Sequence, residues 1–420
     1  MGCCSSSKKA KPLAGATKPV QAPPGGSSGT KNASSFNKTK GGSMLLNAAE
    51  KKMLGEEETA TEFTDTQHIC SPPTVDWKVS KQVKKIPEMS NHELLPVLIP
   101  SDQGGGVVHA LVGYKTLQGK NPKPPHKPNQ DCLSIFIVDG HPNLVVFACF
   151  DGHGPFGEHA SHYCRSRLHP AMLEQGHALL STDPKLAFTN AIAKVHQAFC
   201  SEETLKCGVD PVVSGTTCIA LLFDGKQVHT ANVGDSRAII GTIRNHELVA
   251  EALSDDHKPQ RPDERARLEA SEALLLTERE VRGFGDDSKI YICRERGGDI
   301  VYGVLFTRSL GDADAHAHLG VSALPEMSLR TLGEHDRYFI LASDGVWDFM
   351  SNEEVMELAQ IHSDPIKISD AIVKEASERW EHRDTDHRRD DITVVVIKTE
   401  IHIPKDIPPQ PEAPSAAAAE

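Results

Sequence analysis

The sequence predicts an α+β fold in which antiparallel β-sheets are covered by α-helices. Three observations predict it. Short apolar runs rich in β-branched residues recur between residues 107 and 398. Some of these runs are joined by only two or three residues, too few for a parallel crossover. Between them lie stretches whose apolar residues recur at the spacing of a helix face.

In chain order, Leu133–Val138 is an apolar stretch with Asp131 just before it. Leu144–Phe150 is apolar throughout and reads as a buried strand that ends abruptly in Asp151-Gly152-His153-Gly154. Asp183 is placed to N-cap a helix with Pro184 at its first position, and Phe188, Ile192, Val195 and Phe199 form one apolar face. Thr217–Phe223 and Val228–Val233 flank Asp224-Gly225, a two-residue hairpin turn. Gly234-Asp235-Ser236 and Arg237–Ile243 follow, so three antiparallel neighbours are expected. Val301–Phe306, Tyr338–Ala342 and Ile392–Lys398 read as further strands. Ser351 to Glu354 form a capping box, and Ile368, Ile372, Ala376 and Trp380 a second helical stripe. Ala270–Arg296 reads as irregular.

Composition divides the chain into an expected disordered arm (1–75), a lead-in (76–106), a folded body (107–398) and a Pro/Ala-rich tail (399–420). Seven of the 45 Lys and Arg lie in residues 1–49, which hold no Asp or Glu; the other 38 face 58 acidic residues, a net of −20. A basic arm on an acidic body argues against a nucleic-acid binder and for an arm that meets an anionic surface. The ten cysteines show no C-x-x-C pair or zinc spacing, which suits a reducing compartment. No apolar run approaches the roughly 18 residues of a membrane helix.

At least five strands present an Asp at one end: Asp131, Asp151, Asp235, Asp344 and Asp390, with Asp348 four residues after Asp344. Singly, each is an ordinary turn residue. If several strand ends meet, their carboxylates repel and raise one another's pKa, and a hard divalent cation such as Mg²⁺ or Mn²⁺ relieves that cost.

"FACFDGHG", "SGTTCIALL", "ANVGDSRA", "LSDDHKP", "TRSLGD", "LASDGVWDFMSNEEV" and "RRDDITVVVI" occur in this order. Together they resemble the metal-dependent protein serine/threonine phosphatases of type 2C, over roughly residues 107–398. The resemblance implies a sandwich of two antiparallel sheets flanked by helices, with a binuclear metal site at one edge. It implies hydrolysis of phosphoserine and phosphothreonine on proteins by a hydroxide bridging two Mg²⁺ or Mn²⁺ ions, in a monomeric catalytic domain. Residue by residue, Asp151 matches the bridging carboxylate, Gly152 a carbonyl ligand, and Asp344 and Asp390 terminal ligands. Asp235 and Asp348 match positions that hold waters or a weaker third ion. His153 matches the general acid. Two departures stand out. Gln130-Asp131 replaces a common Glu-Asp, which implies a looser metal or a larger share for Asp131. The usual phosphate-gripping Arg is absent; the register places His126 there beside Lys127, which supplies a point charge and no bidentate fork.

"MGCCSSSKK" fits M-G-x-x-x-[ST]. Gly2 is expected to carry myristate and Cys3 or Cys4 a second acyl chain, with Lys8, Lys9 and Lys11 facing an anionic leaflet. The expected place is therefore the cytoplasmic face of a membrane. The competing reading is a catalytically weak relative that serves as a membrane-docked scaffold.

Overall fold

The computed structural model describes residues 95–100, 107–121, 128–201, 204–205, 209–283, 287–383 and 388–402. The acylation segment with Gly2, Cys3, Cys4, Lys8, Lys9 and Lys11, most of the lead-in, His126, Lys127 and the tail beyond residue 402 lie outside the described residues.

In chain order the elements are β1 (Leu95–Pro100), β2 (Val107–Leu117), β3 (Asp131–Val138), β4 (His141–His153), α1 (Gly157–Leu173), α2 (His177–Thr182), α3 (Pro184–Phe199), β5 (Gly215–Thr216), β6 (Cys218–Phe223), β7 (Gln227–Val233), β8 (Arg237–Arg244) and β9 (Glu247–Ala252). Then come α4 (Pro262–Glu269), β10 (Leu274–Thr277), α5 (Glu278–Arg282), β11 (Ile290–Arg296), β12 (Asp299–Val304), β13 (Leu310–Gly311), α6 (Ala313–His318), β14 (Glu326–Thr331), β15 (Asp336–Ala342), α7 (Asp344–Trp347), α8 (Asn352–Ile361), α9 (Pro365–Arg383) and β16 (Ile392–His402). One sheet has the order β1-β2-β16-β15-β8-β9. A second has the order β13-β5-β4-β6-β7-β14, with β3 also paired to β4. A small third sheet is β10-β11-β12.

The unbroken apolar run of β4 has a packing cause. Val145, Phe147 and Cys149 join the core between the two large sheets, with Leu221, Phe223, Phe339, Leu341 and Val395. Val146, Ala148 and Phe150 point the other way, onto Leu168 of α1 and Phe188, Ile192 and Val195 of α3. Both faces are covered, so every second residue has no need to be polar. Beyond the first sheet, Ile340, Ala342 and Val394 pack against Val355 of α8 and Ile368, Ile372 and Ala376 of α9. The layers run helix, sheet, sheet, helix.

The caps form as their sequences dictate. The Asp183 side chain accepts from the Leu186 N–H at 2.9 Å, with Pro184 opening α3. Ser351 and Glu354 cap α8 reciprocally. The Asp224 carboxylate accepts from the N–H groups of Lys226 and Gln227 in the expected hairpin turn between β6 and β7.

Three expectations need correction. β8 is not a neighbour of β7: β7 pairs with β6 and β14, whereas β8 pairs with β15 and β9. Gly234-Asp235-Ser236 steps from one sheet to the other. Gly234 makes the step at φ +108, and its N–H donates to His257 Nδ1 at 3.1 Å. Second, Ala270–Arg296 holds regular structure: β10, the capped helix α5 and β11. Third, the first sheet begins at Leu95, inside the segment read as a lead-in, and β16 runs four residues past Lys398.

Phe223 stacks edge-on against Phe147 at 5.4 Å and against Phe339 of the opposite sheet at 5.0 Å. Phe223→Ala removes the middle ring of three, so unfolding stability should fall by about 3–5 kcal/mol. A urea titration checks this, and a loss near zero would mean the sheets do not depend on the stack.

Candidate metal centre at the edge of the sandwich

Strand register brings the first two carboxylates together. Asp131 of β3 stands directly opposite Asp151 of β4. Asp131 is buried, and its Oδ2 accepts from the Ser343 hydroxyl at 2.8 Å. Ser343 lies between β15 and α7, and its Oγ also accepts from the Thr393 N–H of β16 at 3.0 Å. A chain of short bonds thus ties the end of the second sheet to the end of the first. Asp344 opens α7 immediately after Ser343. Asp390 and Asp391 precede β16. Asp235 sits in the step between the sheets.

The electrostatics express this convergence. Burial pushes the Asp151 carboxyl well above the usual carboxylate range, and Asp131, Asp344, Asp390 and Asp235 push it further. Asp344 is raised by burial and then by Asp235, Asp348 and Asp390. Asp131 is pushed up to about 7 by burial and by Asp391. Asp348 differs: burial works against its charge, but Lys258 and Lys289 hold it below the usual value. Lys258 Nζ lies 3.2 Å from Asp235 and 3.4 Å from Asp348, and Lys289 Nζ lies 2.9 Å from Asp348. The structure therefore gathers Asp131, Asp151, Asp235, Asp344, Asp348 and Asp390 at one edge. Among the described residues, however, no three His, Cys, Asp or Glu side chains close on a single ligating point.

Backbone fit is tight at Gly152. A Cβ there would lie 2.2 Å from the Gly157 carbonyl oxygen and 2.5 Å from that of Gln130, so only glycine is accommodated. Gln130 has a use of its own: its Nε2 donates to the Gly154 carbonyl at 2.9 Å, a bond that a glutamate could not make. His153 Nε2 lies 2.6 Å from Asp312 Oδ2, and its ring packs on Phe306.

The sequence reading missed several of these residues. Lys258 and Asp312 stand inside the motifs "LSDDHKP" and "TRSLGD", whose spacing alone marks neither of them. Asp391 accepts from Gly119 N–H at 2.5 Å and Gln130 N–H at 2.9 Å, and so braces the ends of β2 and β3. Ser343 is a serine next to Asp344, and nothing in its spacing marks it. Lys289 was hidden by the irregular reading of its segment.

The residues fit a hard divalent cation. The donor set is carboxylate and carbonyl oxygen, the chemistry of Mg²⁺ and Mn²⁺ sites. Asp131 Oδ1 is buried with no hydrogen-bond partner among the described residues, an oxygen that asks for a cation or a cation's water.

Comparison with known proteins agrees with the geometry. A family model described as "Protein phosphatase 2C" matches residues 126–384. The chain belongs to the protein phosphatase 2C family. It is 34% identical over 294 residues to "Probable protein phosphatase 2C 35" of Arabidopsis thaliana, covering 67% of this chain and 81% of that one. It is 29% identical to "Probable protein phosphatase 2C 12" of Oryza sativa subsp. japonica, covering 64% and 77%. Its fold resembles the crystal structure of a serine-threonine phosphatase 2C from Toxoplasma gondii, with a TM-score of 0.56 at 20% identity, covering 73% of this chain and 99% of that one. This type 2C phosphatase is thus an α+β sandwich and a metal-dependent protein serine/threonine phosphatase by family. Among its described residues no helix is long and apolar enough to cross a membrane.

A carboxyl whose folded pKa exceeds its unfolded value binds extra protons when folded, so it costs stability progressively as pH rises from about 4 toward the folded value. Asp344 is such a group, and Asn does not titrate. In EDTA-treated phosphatase, Asp344→Asn should raise the urea midpoint, by more at pH 8 than at pH 5. A midpoint lowered at pH 8 would contradict the repulsion described.

Proposed function

We propose that the edge cluster is the phosphoryl-hydrolysing centre of this phosphatase. The observation that carries the reading is the meeting of buried carboxylates from both sheets, with Asp131 opposite Asp151. Asp151 would be shared between two cations, Gly152 would offer its carbonyl, and Asp344 and Asp390 would complete the second position. Asp235 and Asp348 would hold waters or a weaker third ion, in competition with the ammonium groups of Lys258 and Lys289. When bound, divalent cations make water more acidic and neutralise charge on the phosphoryl oxygens.

The chain's own residues do the rest. Asp131 Oδ1, without a hydrogen-bond partner among the described residues, would accept a hydrogen of the attacking water. Lys127, whose place lies outside the described residues, supplies a point charge to the phosphate. His153 gives a proton to the departing seryl or threonyl oxygen. Gly152 lets the backbone approach, because no Cβ fits there. The substrates are phosphoproteins, and the reading places one catalytic domain per working unit.

The arm adds place to the chemistry. Myristate on Gly2 and an acyl chain on Cys3 or Cys4 would hold the chain at the cytoplasmic face of a membrane, with Lys8, Lys9 and Lys11 each adding about 1 kcal/mol near an anionic leaflet. The motif and the one-sided charge of residues 1–49 support this reading.

Turnover of a phosphothreonine peptide should require Mg²⁺ or Mn²⁺ and vanish after EDTA treatment, returning on readdition. Full turnover in metal-free buffer would overturn the reading of the centre. Gly2→Ala should move the protein from the membrane to the soluble fraction and abolish myristate labelling, with the rate on p-nitrophenyl phosphate unchanged. Equal partition of the two forms would overturn the anchor.

A further inference from the structure

We infer that Asp312 is the positioning residue for His153, holding the imidazole so that Nδ1 faces the chemistry. This rests on the reading of His153 as the proton donor. Three strands build the contact. β5 lies between β4 and β13, and its Gly215 is paired to His153 on one side and to Gly311 on the other. Asp312 follows Gly311. Its carboxylate therefore reaches across an entire strand to meet His153, at 2.6 Å. The path exists because the residue between them is glycine: a Cβ on Gly215 would lie 2.2 Å from Asp312 Oδ2.

The backbone is committed to this arrangement. Asp312 has φ 47 and ψ 47, the left-handed region that is unfavourable for a residue with a Cβ. Asp and Asn bear this best among non-glycine residues. The Asp312 N–H donates to the Ser214 carbonyl at 3.0 Å, and Gly311 beside it has φ +98. Both side chains are largely sealed from water, with exposures of 10% for His153 and 2% for Asp312. Asp312 Oδ1 has no hydrogen-bond partner among the described residues, so the carboxylate's side-chain hydrogen bond goes to His153. The nearby His196 and His316 are both held below the usual imidazole value, chiefly by burial, so neither brings a competing cation to Asp312 at pH 7.

A carboxylate accepts hydrogen bonds and donates none, so Nε2 is the nitrogen that keeps its hydrogen toward Asp312. Nδ1 is then the exchanging nitrogen. As the bond from phosphorus to the seryl or threonyl oxygen breaks, that oxygen keeps the electron pair and takes the Nδ1 proton. Water's oxygen has by then bonded to phosphorus, and its two protons stay on the phosphate product. The products are a free hydroxyl, inorganic phosphate and a neutral imidazole still bonded through Nε2–H to Asp312. Asp312 touches no reacting atom; it fixes the ring and its tautomer, as buried carboxylates do beside catalytic imidazoles.

The test uses the full chain with saturating Mn²⁺ and two substrates. A phosphothreonine peptide expels an alkoxide that needs a proton. p-Nitrophenyl phosphate expels an anion that is stable near neutral pH. Asp312→Asn keeps the volume and tolerates the left-handed backbone, so the fold should persist. It should lower kcat on the peptide at least about thirtyfold more than kcat on p-nitrophenyl phosphate, with the peptide KM within about twofold. His153→Ala should show the same selectivity, and the double variant should lose no more than His153→Ala alone. A purely structural role would lower both substrates together, and that result, with His153→Ala still selective, would overturn the role of Asp312 alone. If His153→Ala is not selective, the proton-donor reading itself fails. Should Asp312→Asn not fold, ¹⁵N NMR of the wild-type ring decides: Nε2–H is expected, and an Nδ1–H tautomer would overturn the proposal.

Discussion

Repulsion among buried carboxylates at one edge of the sandwich is the constraint on which the rest of this structure depends. Asp131, Asp151 and Asp344 are each raised by burial and then by neighbouring carboxylates, Asp390 among them in every case, so their charged forms work against folding. What holds the edge is a frame of hydrogen bonds rather than paired charge. Ser343 serves Asp131, Thr217 Oγ1 accepts from the Asp151 N–H at 3.1 Å, and Asp391 is gripped by two backbone N–H groups. The two lysines neutralise only the far side, at Asp235 and Asp348. The donor set of such an edge fits divalent cations, whose charge would convert the repulsion into attraction.

The sandwich is the means of holding it. β4 is apolar on both faces because one face meets the opposing sheet and the other meets α1 and α3. A strand so buried cannot slip by one residue without turning its side chains into the wrong layer. Its end therefore presents Asp151, Gly152 and His153 in fixed register, opposite Asp131 on one side and Gly215 on the other. The step at Gly234 to Ser236 carries Asp235 from one sheet to the other at the same edge. The position of Asp151, Gly152 and His153 is a consequence of core packing.

Much of this was legible in the sequence, for physical reasons that vary by residue. The helices announced themselves because Asp183 and Ser351 carry cap chemistry that acts within three residues. The strands were legible as apolar runs, but which strands pair is not a local property. The three residues after Val233 could join neighbours in one sheet or step between two, and only packing decides. The carboxylates at strand ends were visible, whereas their convergence rested on resemblance. Ser343, Asp391 and Asp312 were passed over because their roles depend on what lies across the fold: Asp131, the ends of β2 and β3, and His153. Gln130 was weighed only as a weak ligand, because its bond to the Gly154 carbonyl appears once β4 has turned.

The central claim is that this edge exists to hold divalent cations. Calorimetric titration of the EDTA-treated, dialysed chain with Mn²⁺ tests it without reference to turnover. The account expects saturable uptake of about two ions per chain, lost in Asp151→Asn while the circular dichroism spectrum is retained. Uptake that is absent in the wild type, or identical in Asp151→Asn, would contradict it.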